Sequence, residues 1–166
     1  MSTQLLSEQV SAELTVFARL LRAHASLRRT LGTRLLADHS LTINDFETLL
    51  HLSREPDGRM RRVDLAERLQ LTPSGVTRLL DGLLDCGLVE RGSCDSDARV
   101  VYAVITAEGR RRLETAASGH QVAVRELLGS ALTETELETL GSLLSRLPGA
   151  GEASGEQCLP PGPARP

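Results

Sequence analysis

Lysine is missing from this chain: all 19 of its basic side chains are arginine. Every fixed cation therefore carries a planar guanidinium fork, a shape that matches phosphate and the guanine edge. Aromatic residues are nearly missing too, with two Phe, one Tyr and no Trp, so a core has to be built from Leu, Val and Ala. No apolar run approaches the roughly 20 residues that cross a bilayer, which argues against a membrane partner. The N-terminus, MSTQLLSEQVSAEL, has neither a basic start nor an apolar stretch and does not read as a secretory signal. Cys86, Cys94 and Cys158 form no C-x-x-C pair, and His24, His39, His51 and His120 form no pair at helical ligand spacing, so no metal site is expected. An odd cysteine count without a signal segment points to a reducing, cytoplasmic compartment. The chain shows no nucleophile–base pair, phosphate loop or metal set. That speaks against an enzyme, and no cofactor is expected.

What remains is a length of 166 residues, which suits one domain, and a net charge of −3 that is unevenly spread. Residues 1–53 balance five arginines against five acids. Residues 54–112 hold 11 arginines and 10 acids, and residues 113–166 hold three arginines and seven acids. The middle is thus arginine-dense but locally neutralised, and a basic surface there has to come from geometry.

Apolar spacing and punctuation divide the chain into elements. Leu14, Phe17, Leu21, Leu31 and Leu35 recur at helical intervals and predict a long helix over 8–37. Thr42 is a candidate N-cap for a helix burying Phe46, Leu49, Leu50 and Leu52. REPDG (54–58) reads as a loop. A short helix follows over 61–69, expected to bury Val63, Ala66 and Leu69. After a QLTP turn, Thr72 caps a second helix that has Pro73 at its first position and ends at Gly87. LVER and RVVYAVI then make a hairpin around a polar loop. Thr106 restarts helix, with Arg110, Arg111 and Arg112 expected mainly in solvent and Leu113, Ala117, Val124 and Leu128 beyond. Thr133 and Glu136 form a capping box for a last helix carrying Leu137, Leu140, Leu144 and Leu147. Nine of the 19 residues from 148 to 166 are Gly or Pro, a composition that is expected to be disordered.

Two short helices joined by a tight turn and followed at once by a hairpin form a winged helix-turn-helix. The second helix is apolar on one side. The other side carries Ser74, Thr77, Arg78 and Asp81 at spacings of 3, 4 and 7. Ser, Thr and Arg at a helix N-terminus suit base edges and phosphates. Gly75 costs helix propensity, which close approach of backbone to DNA would offset. Arg62 is assigned to phosphate. In the hairpin loop DSDAR, Asp97 is placed to hold a guanidinium, either Arg99 or Arg91 on the partner strand, while Asp95 and Ser96 read as turn formers.

The stretches LTINDFETLLHL, DLAERLQLTPSGVTRLLDGLLDCGLVER and DSDARVVYAVITAEGRRRL resemble the MarR (multiple antibiotic resistance regulator) family over about residues 10–147. The last stretch has the family's wing pattern in Asp97, Arg99, Thr106 and Gly109. The chain departs from many members at Cys86, where a basic residue is common, and in GSCDS at the wing. The resemblance implies a mainly α fold with a small β wing. Residues 8–40 and 106–147 would form the helical dimerisation region, 41–105 the winged DNA-binding lobe and 148–166 a tail. It further implies a homodimer on double-stranded DNA with an inverted-repeat operator. The helix at 73–86 would enter the major groove and Arg99 the minor groove. Thr72, Ser74, Gly75, Thr77, Arg78 and Arg91 complete the expected DNA surface. Effectors in the family bind between the dimerisation helices and the lobe, which makes His24, Arg28, Phe46 and His51 candidate contacts for a small aromatic or drug-like molecule.

The expected function is a transcriptional regulator, a repressor released by such an effector. One alternative is a winged-helix protein–protein module, but that would show exposed apolar residues where this chain has Ser74, Thr77 and Arg78. Another is a thiol-based redox regulator using Cys86 or Cys94. Redox-sensing members place their cysteine in the first helix, where this chain has none.

Overall fold

The computed structural model describes residues 11–93 and 101–148. Cys94, Asp97 and Arg99 of the expected wing tip lie outside the described residues, as do Cys158 and the Gly/Pro-rich segment from 149 onward. Within the described residues the order is α1 (Ala12–His39), α2 (Ile43–Arg54), β1 (Arg59–Arg61), α3 (Arg62–Leu69), α4 (Pro73–Asp85), β2 (Val89–Ser93), β3 (Val101–Ile105), α5 (Ala107–Gly129) and α6 (Glu134–Ser145).

Five of these helices open on a hydroxyl. Ser11, Thr42, Thr72, Thr106 and Thr133 each accept a hydrogen bond from a first-turn N–H, at α1, α2, α4, α5 and α6 in turn. The capping is reciprocal at α2, through Asp45, and at α6, through Glu136. Each such cap is worth about 1 kcal/mol. α1 runs two residues past its expected end and closes on Ser40, whose φ of 55° is left-handed. α4 ends where expected: Gly87 takes φ +68°, and the Leu88 N–H reaches back to the Leu83 carbonyl at 2.9 Å. Both leucines are buried, completing the usual C-terminal motif.

β1, β3 and β2 lie side by side, in that order, as an antiparallel sheet. Met60 and Arg91 flank Ala103 from opposite sides. The strand β1 is a finding the sequence reading did not contain. Its three residues are too few to show an alternating pattern, and it exists through pairing with β3.

The core gathers α2, the α3–α4 pair, the sheet and the first turns of α5: Leu49, Leu52, Leu65 and Leu113 have no exposed surface. Leu113, Ala116 and Ala117 of α5 and Leu35 of α1 belong to this same cluster, so packing continues past residue 105. Gly109 explains part of this. A β-carbon there would stand 2.9 Å from Ile105 Cγ1 and 3.1 Å from the Leu88 carbonyl carbon, so only glycine lets α5 start against the end of the wing. The Thr106 hydroxyl ties the same corner by donating to the Gly87 carbonyl at 2.7 Å.

Two expectations are corrected. Val63 is 62% exposed; on α3 it lies some 200° around from Leu65, which is the residue that enters the core. The Arg110–Arg112 run is not mainly solvated. Arg111 pairs with Glu108 one turn back. Arg112 donates to the His39 carbonyl at the end of α1, at 2.8 Å. The Arg110 guanidinium fills the space where Gly58 lacks a side chain.

Candidate nucleic-acid interface

Thr72 fixes the start of α4, with its hydroxyl oxygen accepting from the Gly75 N–H at 3.1 Å and standing 3.2 Å from Ser74 Oγ. A β-carbon at Gly75 would come to 3.2 Å from that same Thr72 oxygen. A side chain there would sit tightly against the cap, although the Thr42 and Thr133 caps tolerate Asp45 and Glu136 at the equivalent position. The half-buried Thr77 hydroxyl donates to the Pro73 carbonyl at 2.9 Å, which leaves its oxygen able to accept a further hydrogen bond. Arg78 is exposed one residue further along.

Most arginines of this lobe are already engaged. Arg59 pairs with Asp57 and lies over the Tyr102 ring. Arg61 grips Asp64 through two hydrogen bonds, and Arg68 pairs with Glu55. Arg62 and Arg78 are exposed and have no ion pair among the described residues. They are the residues assigned from sequence to a phosphate and to a base edge.

A narrow groove runs between α4 and the wing, and Arg62, Thr77, Asp81, Arg91 and Tyr102 are among its walls. It brings Arg62, Thr77 and Arg91 together. Arg91, one of the two guanidinium groups offered from sequence as a partner of Asp97, meets Asp81 of α4 at 3.5 Å. Asp81 and Tyr102 are the site residues that sequence reasoning missed. Asp81 was visible in the polar stripe of α4, but nothing in the sequence pairs it with a strand ten residues on.

The four candidate effector contacts do not converge. His24 is exposed on α1. Arg28 is held by α2, donating to Glu47 at 2.6 Å and Asn44 at 2.9 Å. Phe46 is buried, its ring 4.7 Å from that of His120. His51 is half-buried. Burial lowers the pKa of its imidazole, and the charges of Arg68 and Arg54 lower it further. Burial likewise lowers the pKa of His120, against a smaller opposing effect of Glu47. Beside His120, between α1 and α5, lies a cavity of about 300 Å³ whose walls include Arg34, Asp38, His39 and Glu126.

A short helix, a left-handed turn at Gln70, a second helix and an antiparallel hairpin define a winged helix-turn-helix. The model of the MarR family matches residues 39–100. The HTH-type transcriptional repressor YetL of Bacillus subtilis (strain 168) is 32% identical over 114 residues, 67% of this chain and 68% of that protein. The structure is similar to that of Sco3205, a MarR family transcriptional regulator from Streptomyces coelicolor in complex with DNA. The TM-score is 0.74 at 29% identity, over 83% of this chain and 87% of the other. It is also similar to a mutant MarR from E. coli complexed with operator DNA, with a TM-score of 0.69 at 27% identity, over 83% and 97% of the two chains. The chain belongs to the MarR family and is a DNA-binding transcriptional regulator.

Proposed function

We propose that the protein is a cytoplasmic, homodimeric repressor that binds an inverted-repeat operator in double-stranded DNA and releases it on binding a small aromatic or drug-like effector. The observation that carries the DNA part is a pair of cations with no ion pair among the described residues. In a lobe where Arg59, Arg61, Arg68 and Arg91 have acidic partners, Arg62 and Arg78 present guanidinium groups that are unpaired among the described residues, near Ser74 and Thr77 of α4. Arg78, with Thr77, reads base edges in the major groove, and Arg62 takes a phosphate. Arg99 reaches the minor groove. The repressor sense rests on the likeness to YetL. The effector enters beside the Phe46–His120 ring pair, where the α1–α5 cavity opens.

The test starts from duplexes selected by the full-length protein out of a random-sequence pool. Arg78→Ala is expected to lose about 1–3 kcal/mol of discrimination between the selected duplex and random DNA. Arg62→Ala is expected to weaken both alike and to make the slope of log K against log salt shallower by about 0.9 per contact. If Arg62→Ala weakens only the selected site, the two roles are reversed.

A further inference from the structure

Asp81 is the wrong charge for its place. It follows Thr77 by one helical turn and Arg78 by three residues, so it shares the stripe of α4 that carries the proposed base-reading side chains. A carboxylate there repels the phosphates that Arg62 and Arg78 attract. Yet it is not isolated. Arg91 stands on β2 directly across from Ala103, on the sheet face that turns toward the lobe, and its Nη2 comes to 3.5 Å from Asp81 Oδ1. The two side chains are 72% and 54% exposed. The ion pair thus spans the mouth of the groove and joins the recognition helix to the root of the wing, the two elements that have to engage one duplex together.

We propose that Asp81 is a positioning residue for DNA binding: it holds the Arg91 guanidinium over the groove beside α4 so that Arg91 meets a phosphate already oriented. This role rests on the DNA-binding reading of α4 given above. A guanidinium has five N–H donors. The pair with Asp81 occupies one end of the fork and leaves the rest free to bridge to a phosphate oxygen, so the carboxylate and the phosphate share one cation. Because Arg91 offsets the charge of Asp81, the carboxylate adds little net repulsion while the pair is intact. Ordering a free arginine at an interface weakens binding about 2- to 12-fold, and a side chain already held avoids most of that loss.

Simple electrostatics and positioning predict opposite signs. Deleting an acid beside a polyanion tightens binding if charge alone matters. The test titrates the full-length wild type, Asp81→Ala, Asp81→Asn, Asp81→Glu, Arg91→Ala and the Asp81→Ala/Arg91→Ala double variant on the duplex selected by wild type, at several salt concentrations, with melting curves alongside. Positioning predicts that Asp81→Ala and Asp81→Asn bind about 2- to 12-fold more weakly, that Asp81→Glu lies closer to wild type, and that Asp81→Ala has no further effect once Arg91 is gone. Melting stays unchanged, because the pair is exposed. Binding by Asp81→Ala that is equal to or tighter than wild type overturns the role. So does an equal loss in the Arg91→Ala background, which would mean that Asp81 acts without Arg91. If the wild type enriches no duplex at all, the DNA reading itself fails, and this role with it.

Discussion

α2 and α6 are both 12 residues long, and they are used in opposite ways. Six residues of α2 are buried; none of α6 is. α1 follows α6: of its 28 residues only Leu35 is buried, although Leu14, Val16, Phe17, Leu20 and Leu21 are large and apolar. On α6, Leu140 and Leu143 are likewise exposed, as is Leu147 just beyond. The lobe from α2 to the root of α5 closes its own core, whereas the outer parts of α1 and α6 carry apolar faces that nothing among the described residues covers. Faces of that extent mark contact surfaces. The difference supports the proposal of a division of labour in which the lobe supplies DNA contacts and the terminal helices meet the second copy.

The largest effect should come from breaking the terminal faces without touching the lobe. Phe17→Glu with Leu143→Glu is expected to leave helical content intact and to cost about 10²–10⁴-fold in operator affinity, because the second half-site then binds without tethering to the first. Circular dichroism and a gel shift read the two halves of that outcome. Next, Leu65→Ala removes a fully buried side chain of α3 and should destabilise the fold by about 2–5 kcal/mol in chemical denaturation. Leu147→Ala, at the exposed end, should stay within about 0.5 kcal/mol in a dimer-disrupted background. Equal losses at the two positions would erase the distinction between the regions.

A smaller effect is expected from pH. His51 and His120 both have imidazole pKa values below the ordinary 6.5 in the folded lobe. The unfolded chain therefore takes up protons first as pH falls. The stability linked to neutral imidazole is fully present above about 6.5 and is lost as pH drops from there toward the folded values. Melting temperature should fall over that window, and His51→Gln with His120→Gln should flatten the fall. A wild-type profile that is flat between pH 7 and 5 would contradict the assignment.

The fold was legible where local chemistry decides it. The threonines at 42, 72 and 133 are caps in the sequence and caps in the structure, and Thr106, where helix was expected to restart, caps α5, because a cap involves only three or four neighbouring residues. Gly87 follows the same logic at a turn, whereas the close approach of Gly109 to Leu88 depends on a partner 21 residues back. What the sequence hid depends on partners far along the chain. β1 needs β3, more than 40 residues on. The His120 ring against Phe46 and the Arg112 bond to the His39 carbonyl each join residues more than 70 apart. The candidate site divides the same way. The α4 stripe was readable from helical spacing alone, while the Asp81–Arg91 pair had to wait for the angle between helix and wing. For the effector candidates, spacing put Arg28 and Phe46 on suitable helices but did not reveal that Glu47 and Asn44 hold one and His120 covers the other.

The division of labour is tested most directly by sedimentation of the full-length protein with a duplex it has itself selected. The account predicts a dimer before DNA is added and one dimer on each duplex, whose selected sequence is an inverted repeat with half-site centres about 10 bp apart, or one helical turn. A monomer that stays monomeric at micromolar concentration and loads one copy at a time onto a non-repeated site would contradict it.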